Sequence, residues 1–230
     1  MTTASGALST YREGSLHAAL KARYAGPGDD VESAVDGFVI DVVRPGELVE
    51  IQTGSFASAA RKLRALVDRH RIALVHPVAA ERWLVRVDGD GTVLSRRRSP
   101  KRGLAVDLFE ELVAFPELVA HPNFRLELLL TREEEIRGPV PEGARYRYPR
   151  AWWRLDRQLI EIARLIRVDS PADLAALLPA LPEVFTSADI RAATGRSKRL
   201  AMRATYCLAK CGAAVAVGKS GRLRTYRLAG

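Results

Sequence analysis

The fold is decided by one stretch of the sequence, Val35-Asp-Gly-Phe-Val-Ile-Asp-Val-Val-Arg-Pro-Gly-Glu-Leu-Val-Glu-Ile-Gln-Thr53. Its β-branched residues predict two apolar strands, and Pro45-Gly46 predicts the turn that joins them. The strands nevertheless carry charged side chains, which are costly inside a sheet unless they are paired or bind a cation. The positions of Asp41 and Glu50 therefore require an explanation other than stability.

Strand geometry predicts that these two carboxylates lie side by side. A turn centred on Pro45-Gly46 pairs Val43 with Leu48, and the same register places Asp41 opposite Glu50. Two carboxylates so close repel each other, and a divalent cation between them removes the repulsion. Oxygen ligands of this kind suit Mg²⁺ or Mn²⁺, so the pair predicts a metal site.

This arrangement resembles the PD-(D/E)xK nuclease superfamily, in which an Asp on one central strand and a Glu-x-Lys on the next hold a metal at the scissile phosphate. The resemblance covers residues 11–71: a helix bearing Glu13, the Asp41 strand, the Glu50 strand and a helix bearing Lys62. Residues 35–41 are also similar to the strand entry of the very-short-patch-repair branch. The resemblance implies a restriction-endonuclease-like fold, with Glu13 assisting through a water-mediated contact to the metal.

The sequence departs from the family pattern at Gln52. The family usually has a lysine there, which positions the attacking water and offsets developing negative charge. Glutamine replaces this lysine in some restriction nucleases, and in others the lysine has moved to the following helix. Lys62 is therefore the candidate for the missing cation. Loss of catalysis is the alternative.

Two other residues are candidates for the same site. Asp36 is the alternative metal ligand to Asp41, although it precedes Gly37 and lies on the opposite strand face by parity. His17 lies one helical turn after Glu13 and can face the site, although a single helical histidine is more often a surface residue.

The composition is that of an ordinary soluble protein. The chain has 230 residues, of which 47% are hydrophobic and 27% are charged, as is usual for globular domains. It has neither an apolar run long enough to span a membrane nor an N-terminal secretory signal, which predicts a cytoplasmic protein that makes no membrane contact. The two cysteines, Cys207 and Cys211, are predicted to be core residues rather than metal ligands or disulfide partners.

The positive charge is concentrated in one segment. The net charge is +9, and the last 45 residues hold 10 Lys and Arg against a single acidic residue, while the first 185 hold 26 of each sign. A localised basic surface is typical of nucleic-acid-binding proteins. A second basic cluster at residues 96–102 includes Arg97 and Arg98, which are predicted either to contact phosphate or to lie in a solvated loop.

Helix and strand patterns predict the α/β class, with a mixed central sheet flanked by helices. After the Asp41–Glu50 hairpin, strands are expected at residues 72–77, 83–87, 92–95 and 124–130. Residues 138–143 have the composition of a linker. We therefore predict a nuclease-like domain over residues 1–148 and a second domain over residues 149–230, beginning with a helix over 155–166.

The second domain resembles a small winged helix-turn-helix. A helix opened by Thr186 stops at Gly195, a longer helix covers 197–210, and a basic hairpin covers 213–228. In such a unit the second helix lies in the major groove and the hairpin reaches phosphate or the minor groove. The DNA contacts implied by this resemblance are Arg196, Lys198, Arg199, Arg203, Lys219, Arg222 and Arg224. A winged helix used for protein contacts is the alternative.

These features predict a metal-dependent DNA endonuclease that binds double-stranded DNA through its winged helix. The predicted catalytic residues are Asp41, Glu50, Gln52, Glu13 and Lys62. Two alternatives are a non-catalytic DNA-binding protein that keeps the nuclease-like sheet as a scaffold, and a transcriptional regulator with a ligand-sensing N-terminal domain. A closed apolar pocket would favour the regulator. A homodimer is compatible with the endonuclease, which must cut two strands.

Overall fold

A mixed sheet of seven strands organises the chain in a computed structural model that describes residues 14–140 and 152–229. The elements of this part are α1 (Ser15–Tyr24), β1 (Asp30–Val35), β2 (Phe38–Arg44), β3 (Glu47–Ile51), α2 (Ala60–Leu66), β4 (Ile72–Val87), β5 (Val93–Arg98), α3 (Phe109–Leu112), β6 (Phe124–Gly138) and β7 (Trp153–Val168). The strand order is β1-β2-β3-β4-β6-β7, and β5 pairs with the second half of β4.

The predicted hairpin register is confirmed. Val43 pairs with Leu48 in the antiparallel β2–β3 ladder, and the turn lies at Pro45-Gly46. Gly46 has a φ angle of +80°, which a residue without a Cβ adopts at little cost. From β3 the chain returns through α2 to β4, which runs parallel to β3. The sheet is therefore mixed.

Helices cover both faces of this sheet. Leu16 and Leu20 of α1 pack on one face, against Val49 and Val75. On the other face the buried side chains of α2 pack with a larger apolar cluster that includes Leu48 and Leu74. The predicted coarse class, an α/β fold with a mixed central sheet flanked by helices, is confirmed.

Two strands are longer than predicted. The segments expected at 72–77 and 83–87 are parts of one 16-residue strand, β4, and the strand expected at 124–130 continues to Gly138 as the 15-residue β6. They run parallel to each other along most of their length. Long paired strands hold the end of β3 and the middle of β4 in one rigid layer.

The helix predicted over residues 155–166 is wrong, because this segment is β7. It pairs with β6 in an antiparallel ladder whose register shifts at three places. Each bulge moves the side chains that follow to the other face, which disguises the two-residue period of a strand. The predicted second domain, 149–230, thus includes a strand of the sheet, while residues 141–143 of the predicted linker lie outside the described residues.

The remaining elements follow β7. They are α4 (Pro171–Ala175), α5 (Ser187–Thr194), α6 (Lys198–Lys210), β8 (Ala214–Ser220) and β9 (Leu223–Leu228). β8 and β9 form the expected hairpin, and Phe185 bridges to Tyr226 beside it. Both cysteines are buried as free thiols, one within α6 and one at its end, which confirms their predicted core role.

The C-terminal elements share one apolar core with the sheet. Val168, Leu174 and Leu208 belong to the same buried cluster as Leu126 and Leu128 of β6. Separating the two parts would expose this cluster to solvent. Across the described residues, no helix is both long and apolar enough to cross a membrane.

Candidate active site

Asp41 lies where the β2–β3 ladder ends. The last pair is Val42 with Val49, and beyond it the Asp41 Oδ2 accepts a hydrogen bond of 2.7 Å from the Ile51 backbone N–H. Oδ1 lies 3.1 Å from His17 Nε2 on α1. Burial alone would raise the pKa of Asp41, but the bonds from His17 and Ile51 outweigh it and hold the pKa below the usual value. Asp41 is therefore ionised.

Glu50 is buried on the neighbouring strand, with 6% of its surface exposed. Its Oε1 lies 2.6 Å from Lys62 Nζ, whereas Oε2 is buried without a hydrogen-bond partner. Burial and the negative charge of Asp41 raise the pKa of Glu50 to about 7. A buried carboxylate oxygen with no donor is costly for the fold.

Lys62 reaches this carboxylate from α2. Its Nζ bonds Glu50 and also donates to the backbone oxygen of Val39, at 2.8 Å. The structure thus brings together Asp41, Glu50 and Lys62, three of the predicted site residues. His17, which the sequence left open, joins them through Asp41. Glu13 lies outside the described residues.

Gln52 is engaged elsewhere. Its amide donates to the Ser55 carbonyl at 2.5 Å and to Ser58 Oγ at 2.8 Å. These bonds hold the turn that precedes α2, so Gln52 supports the helix that presents Lys62. The amide does not bond Asp41 or Glu50 in the structure.

Asp36 does not join the pair. It occupies the β1–β2 turn with a φ angle of +50°, and its Oδ2 bonds His70 at 2.8 Å and Arg69 at 3.1 Å. The hydrogen bond from His70 lowers the pKa of Asp36. Both of these contacts are with basic side chains outside the Asp41–Glu50 pair.

The donor chemistry of the pair fits a hard cation. Mg²⁺ is commonly held by one or two protein carboxylates, with water and substrate phosphate completing its shell. Asp41 and Glu50 supply two carboxylates, and the unpartnered Glu50 Oε2 is available to a cation. Within residues 14–140 and 152–229, no group of three or more His, Cys, Asp or Glu side chains is close enough together to hold a metal ion.

The basic residues predicted to contact DNA fall into two groups. Five are exposed on α6 and the β8–β9 hairpin: Lys198, Arg199, Lys219, Arg222 and Arg224. Arg196 and Arg203 are less exposed and bond the helical segment 105–112, at 2.7 Å to Asp107 and 2.6 Å to Glu110 respectively; Arg199 lies 3.4 Å from the same Glu110 but stays exposed. The second group therefore fixes the position of α6 against α3 and has little freedom to reach a ligand.

The second basic cluster forms strand β5, where a loop was one of the two expectations. Arg98 pairs with Glu81 and lies over the Trp83 ring, 5.6 Å from its centroid. Arg97 is exposed between its neighbours, and no carboxylate of the described chain pairs with it. Of these two residues, Arg97 has the more available charge.

Three polar residues near the end of β3, buried Glu133 and His76 and half-buried Arg157, were not identified from the sequence. Arg157 of β7 binds both oxygens of Glu133 and donates to the Thr53 carbonyl, and His76 of β4 binds the Gln52 carbonyl. The glutamates at 133–135 were a signal for a charged layer. Its arginine partner could not be placed while residues 155–166 were predicted to be helical.

Comparison with known proteins identifies the family of this chain. A model described as a domain of unknown function, DUF8091, matches residues 14–169, which begin just before α1 and end just after β7. An uncharacterized protein of Treponema pallidum (strain Nichols) is 32% identical over 224 residues, which is 96% of this chain and 87% of that protein. No solved structure matches. The chain belongs to the DUF8091 family.

Proposed function

We propose that the protein is a metal-dependent DNA nuclease that hydrolyses phosphodiester bonds at the Asp41–Glu50 pair. One observation carries this proposal: Glu50 is buried next to a second carboxylate, with one oxygen bonded by Lys62 and the other without a partner. Buried like charges with an unsatisfied oxygen destabilise a fold, and they are typical of functional sites.

The order of elements supports the proposal. The resemblance to the PD-(D/E)xK superfamily requires a helix, an Asp strand, an adjacent Glu strand and a following helix. The chain has α1, β2 with Asp41, β3 with Glu50, and α2 in this order. The lysine is on the following helix, where Lys62 contacts Glu50. In the proposed nuclease, Lys62 takes the role of the lysine that the superfamily usually has at the position of Gln52.

Asp41 and Glu50 would hold Mg²⁺ or Mn²⁺. When bound, such an ion polarises a phosphoryl oxygen and lowers the pKa of a bound water. His17 and the Ile51 N–H orient the Asp41 carboxylate, so its direction does not depend on the ion. The two helices therefore position both carboxylates before substrate binds.

Lys62 has a separate role in the proposed reaction. A lysine ammonium carries three N–H donors, and two of them are used by Glu50 and the Val39 carbonyl. The third remains for a water molecule or a phosphate oxygen. A cation at this place offsets the negative charge that develops during phosphodiester hydrolysis.

The C-terminal part provides a surface for the DNA backbone. The helix α6 and the β8–β9 hairpin follow the order of a winged helix-turn-helix, and their exposed cations are Lys198, Arg199, Lys219, Arg222 and Arg224. Arg196 and Arg203 bond this unit to Asp107 and to Glu110 of α3. In the proposed nuclease they hold the unit in a set direction relative to the carboxylate pair.

A second candidate function is DNA binding without catalysis. The observation that favours it is that the Gln52 amide holds the turn before α2. The PD-(D/E)xK superfamily usually has a catalytic lysine at that position. In this alternative Lys62 is the permanent counter-ion of Glu50. It would stabilise a scaffold that has no substrate.

Cleavage of supercoiled plasmid by the full chain tests the proposed function. We expect nicked and linear products with Mg²⁺ or Mn²⁺ and none with excess chelator. Binding of the same plasmid without cleavage under any divalent metal would leave the non-catalytic alternative. The products are separated on agarose gels over a time course, so slow turnover is also detected.

A further inference from the structure

A cleft of about 810 Å³ lies beyond the end of β3, the strand that carries Glu50. It begins at Thr53, directly after Gln52, and continues along β4 from His76. Because Glu50 pairs with Leu74 in the parallel ladder, His76 points to the same face of the sheet as Glu50. The opposite walls are the loop after β5, the region of α3, and Arg196 in the turn between α5 and α6.

A buried histidine lines this cleft. His76 is 7% exposed, and its ring packs edge-on against Phe56. Its Nδ1 lies 2.6 Å from the Gln52 carbonyl, which can only accept, so Nδ1 carries the proton. Burial lowers the pKa of His76, and the ring is neutral. Nε2 is then an acceptor, and within the described chain no group donates to it.

Cations lie on the wall formed by the loop after β5. Lys101 is exposed at the rim and is paired with no carboxylate in residues 14–140 or 152–229. Arg82 lines the cleft from β4; it is half-buried and pairs with Glu135 and Glu133, and only its Nε has no acceptor. The loop lies close against β4 because Gly103 lacks a side chain: a Cβ there would meet the Ala79 carbonyl oxygen at 2.6 Å.

The opposite wall carries acceptors. Asp107, Glu110 and Glu111 line the cleft on the side of α3. Asp107 and Glu110 are already bonded by Arg196 and Arg203, whereas no cation of the described chain pairs with Glu111. A ligand that suits both walls has an anionic group for Lys101 and N–H donors for Nε2 of His76 and for the carboxylates. A nucleotide combines these groups, since its phosphate is anionic and its base has N–H donors at the edge used for pairing.

We propose that this cleft binds an unpaired nucleotide of the strand that passes the Asp41–Glu50 pair, so that the substrate is DNA with a single-stranded or extrahelical segment. The inference rests on the proposed nuclease function. In a paired duplex the pairing edge of a base is occupied and cannot reach a buried acceptor. A base that enters the cleft is free to donate to His76.

Binding in the absence of metal separates this inference from catalysis. The full chain is titrated, with chelator, against three fluorescein-labelled DNAs of one sequence: single-stranded, fully paired, and paired with an unpaired central segment. We expect the DNAs with unpaired bases to bind about tenfold more tightly than the paired one, which is the size of effect that one buried hydrogen bond to a base supplies. Anisotropy reports the affinities.

Variants place this preference in the cleft. Lys101→Ala and His76→Ala are each expected to reduce it to about twofold, whereas Arg71→Ala, which removes an exposed charge outside the cleft, should leave it unchanged. Lys101 is on the surface, so its variant tests the inference even if His76→Ala does not fold. Free deoxynucleoside monophosphate serves as a competitor.

The outcomes distinguish the inference from the proposed function. Equal affinity for paired and unpaired DNA, or a preference undiminished by Lys101→Ala, would overturn the cleft assignment even if plasmid is cleaved. Competition by free monophosphate at the affinity of the DNA would also overturn it, because the ligand would then be a soluble nucleotide. A cleft-dependent preference in a protein that cleaves no substrate would support the cleft and refute the nuclease.

Discussion

Asp41→Asn and Glu50→Gln should each lower metal-dependent DNA cleavage by about a thousandfold or more. Both substitutions keep the size of the side chain and an oxygen acceptor, so the Ile51 N–H and Lys62 keep their partners. What is lost is the negative charge that holds the metal. Several kcal/mol of transition-state stabilisation depend on that charge, and each 1.4 kcal/mol corresponds to about a tenfold change in rate.

Asp36→Asn is the matched control for this experiment. Asp36 lies five residues before Asp41, in the β1–β2 turn. Its partners are His70 and Arg69, which follow α2. Initial rates of plasmid nicking should be close to those of the unmodified protein. If Asp36→Asn abolished nicking while Asp41→Asn did not, the metal site would have to be moved to Asp36.

Glu50→Gln is also expected to make the stability of the protein depend less on pH between about 5 and 8. The folded-state pKa of Glu50 is about 7, above its ordinary value of 4.5, so folding retains a proton that the unfolded chain releases. The free energy of unfolding therefore falls as pH rises between these two values. A glutamine does not ionise. Relative to the variant, the unmodified protein should lose about 3 kcal/mol between about pH 5 and pH 8.

Urea unfolding of the metal-free protein, followed by tryptophan fluorescence at both pH values, measures this difference. Glu183→Gln is the control, because the Glu183 side chain is 80% exposed and should not change the pH dependence. A Glu50→Gln variant that is less stable than the unmodified protein at pH 8 would indicate that Glu50 is a structural partner of Lys62. The carboxylate would then have no need of a cation.

The sequence was sufficient for the first hairpin because local signals agree there. Pro45-Gly46 determines the turn, and the turn determines the register, so Val43 pairs with Leu48 as predicted. The same register was expected to pair Asp41 with Glu50, but the ladder ends one pair earlier, at Val42 and Val49, and Asp41 accepts from the Ile51 N–H. Lys62 could be nominated because the lysine lies on the following helix in some members of the PD-(D/E)xK superfamily.

Other features depended on distant contacts. Residues 155–166 have apolar spacing that fits a helix, yet pairing with β6 and its bulges makes them a strand. The Gln52 amide shares a face with Glu50 in an ideal strand, but β3 ends at Ile51, and the amide turns to Ser55 and Ser58. Neither outcome is encoded within a short window of sequence.

In the basic C-terminal segment, the number of charges in the sequence does not show which of them are free to contact DNA. The seven DNA contacts implied by the winged-helix resemblance lie on α6, the preceding turn or the hairpin, but Arg196 and Arg203 are held by Asp107 and Glu110. Those carboxylates are about ninety residues away in sequence, and composition could not pair them. The packing of α6 against α3 therefore determines which charges remain exposed.

Locating a bound metal ion tests the central claim most directly. A crystal of the full chain grown with Mn²⁺ would be measured at a wavelength where manganese scatters anomalously. The account predicts one anomalous peak bonded by the carboxylates of Asp41 and Glu50, with the Glu50 Oε2 among its ligands. No peak at this pair at saturating Mn²⁺, or a peak at Asp36 instead, would contradict it.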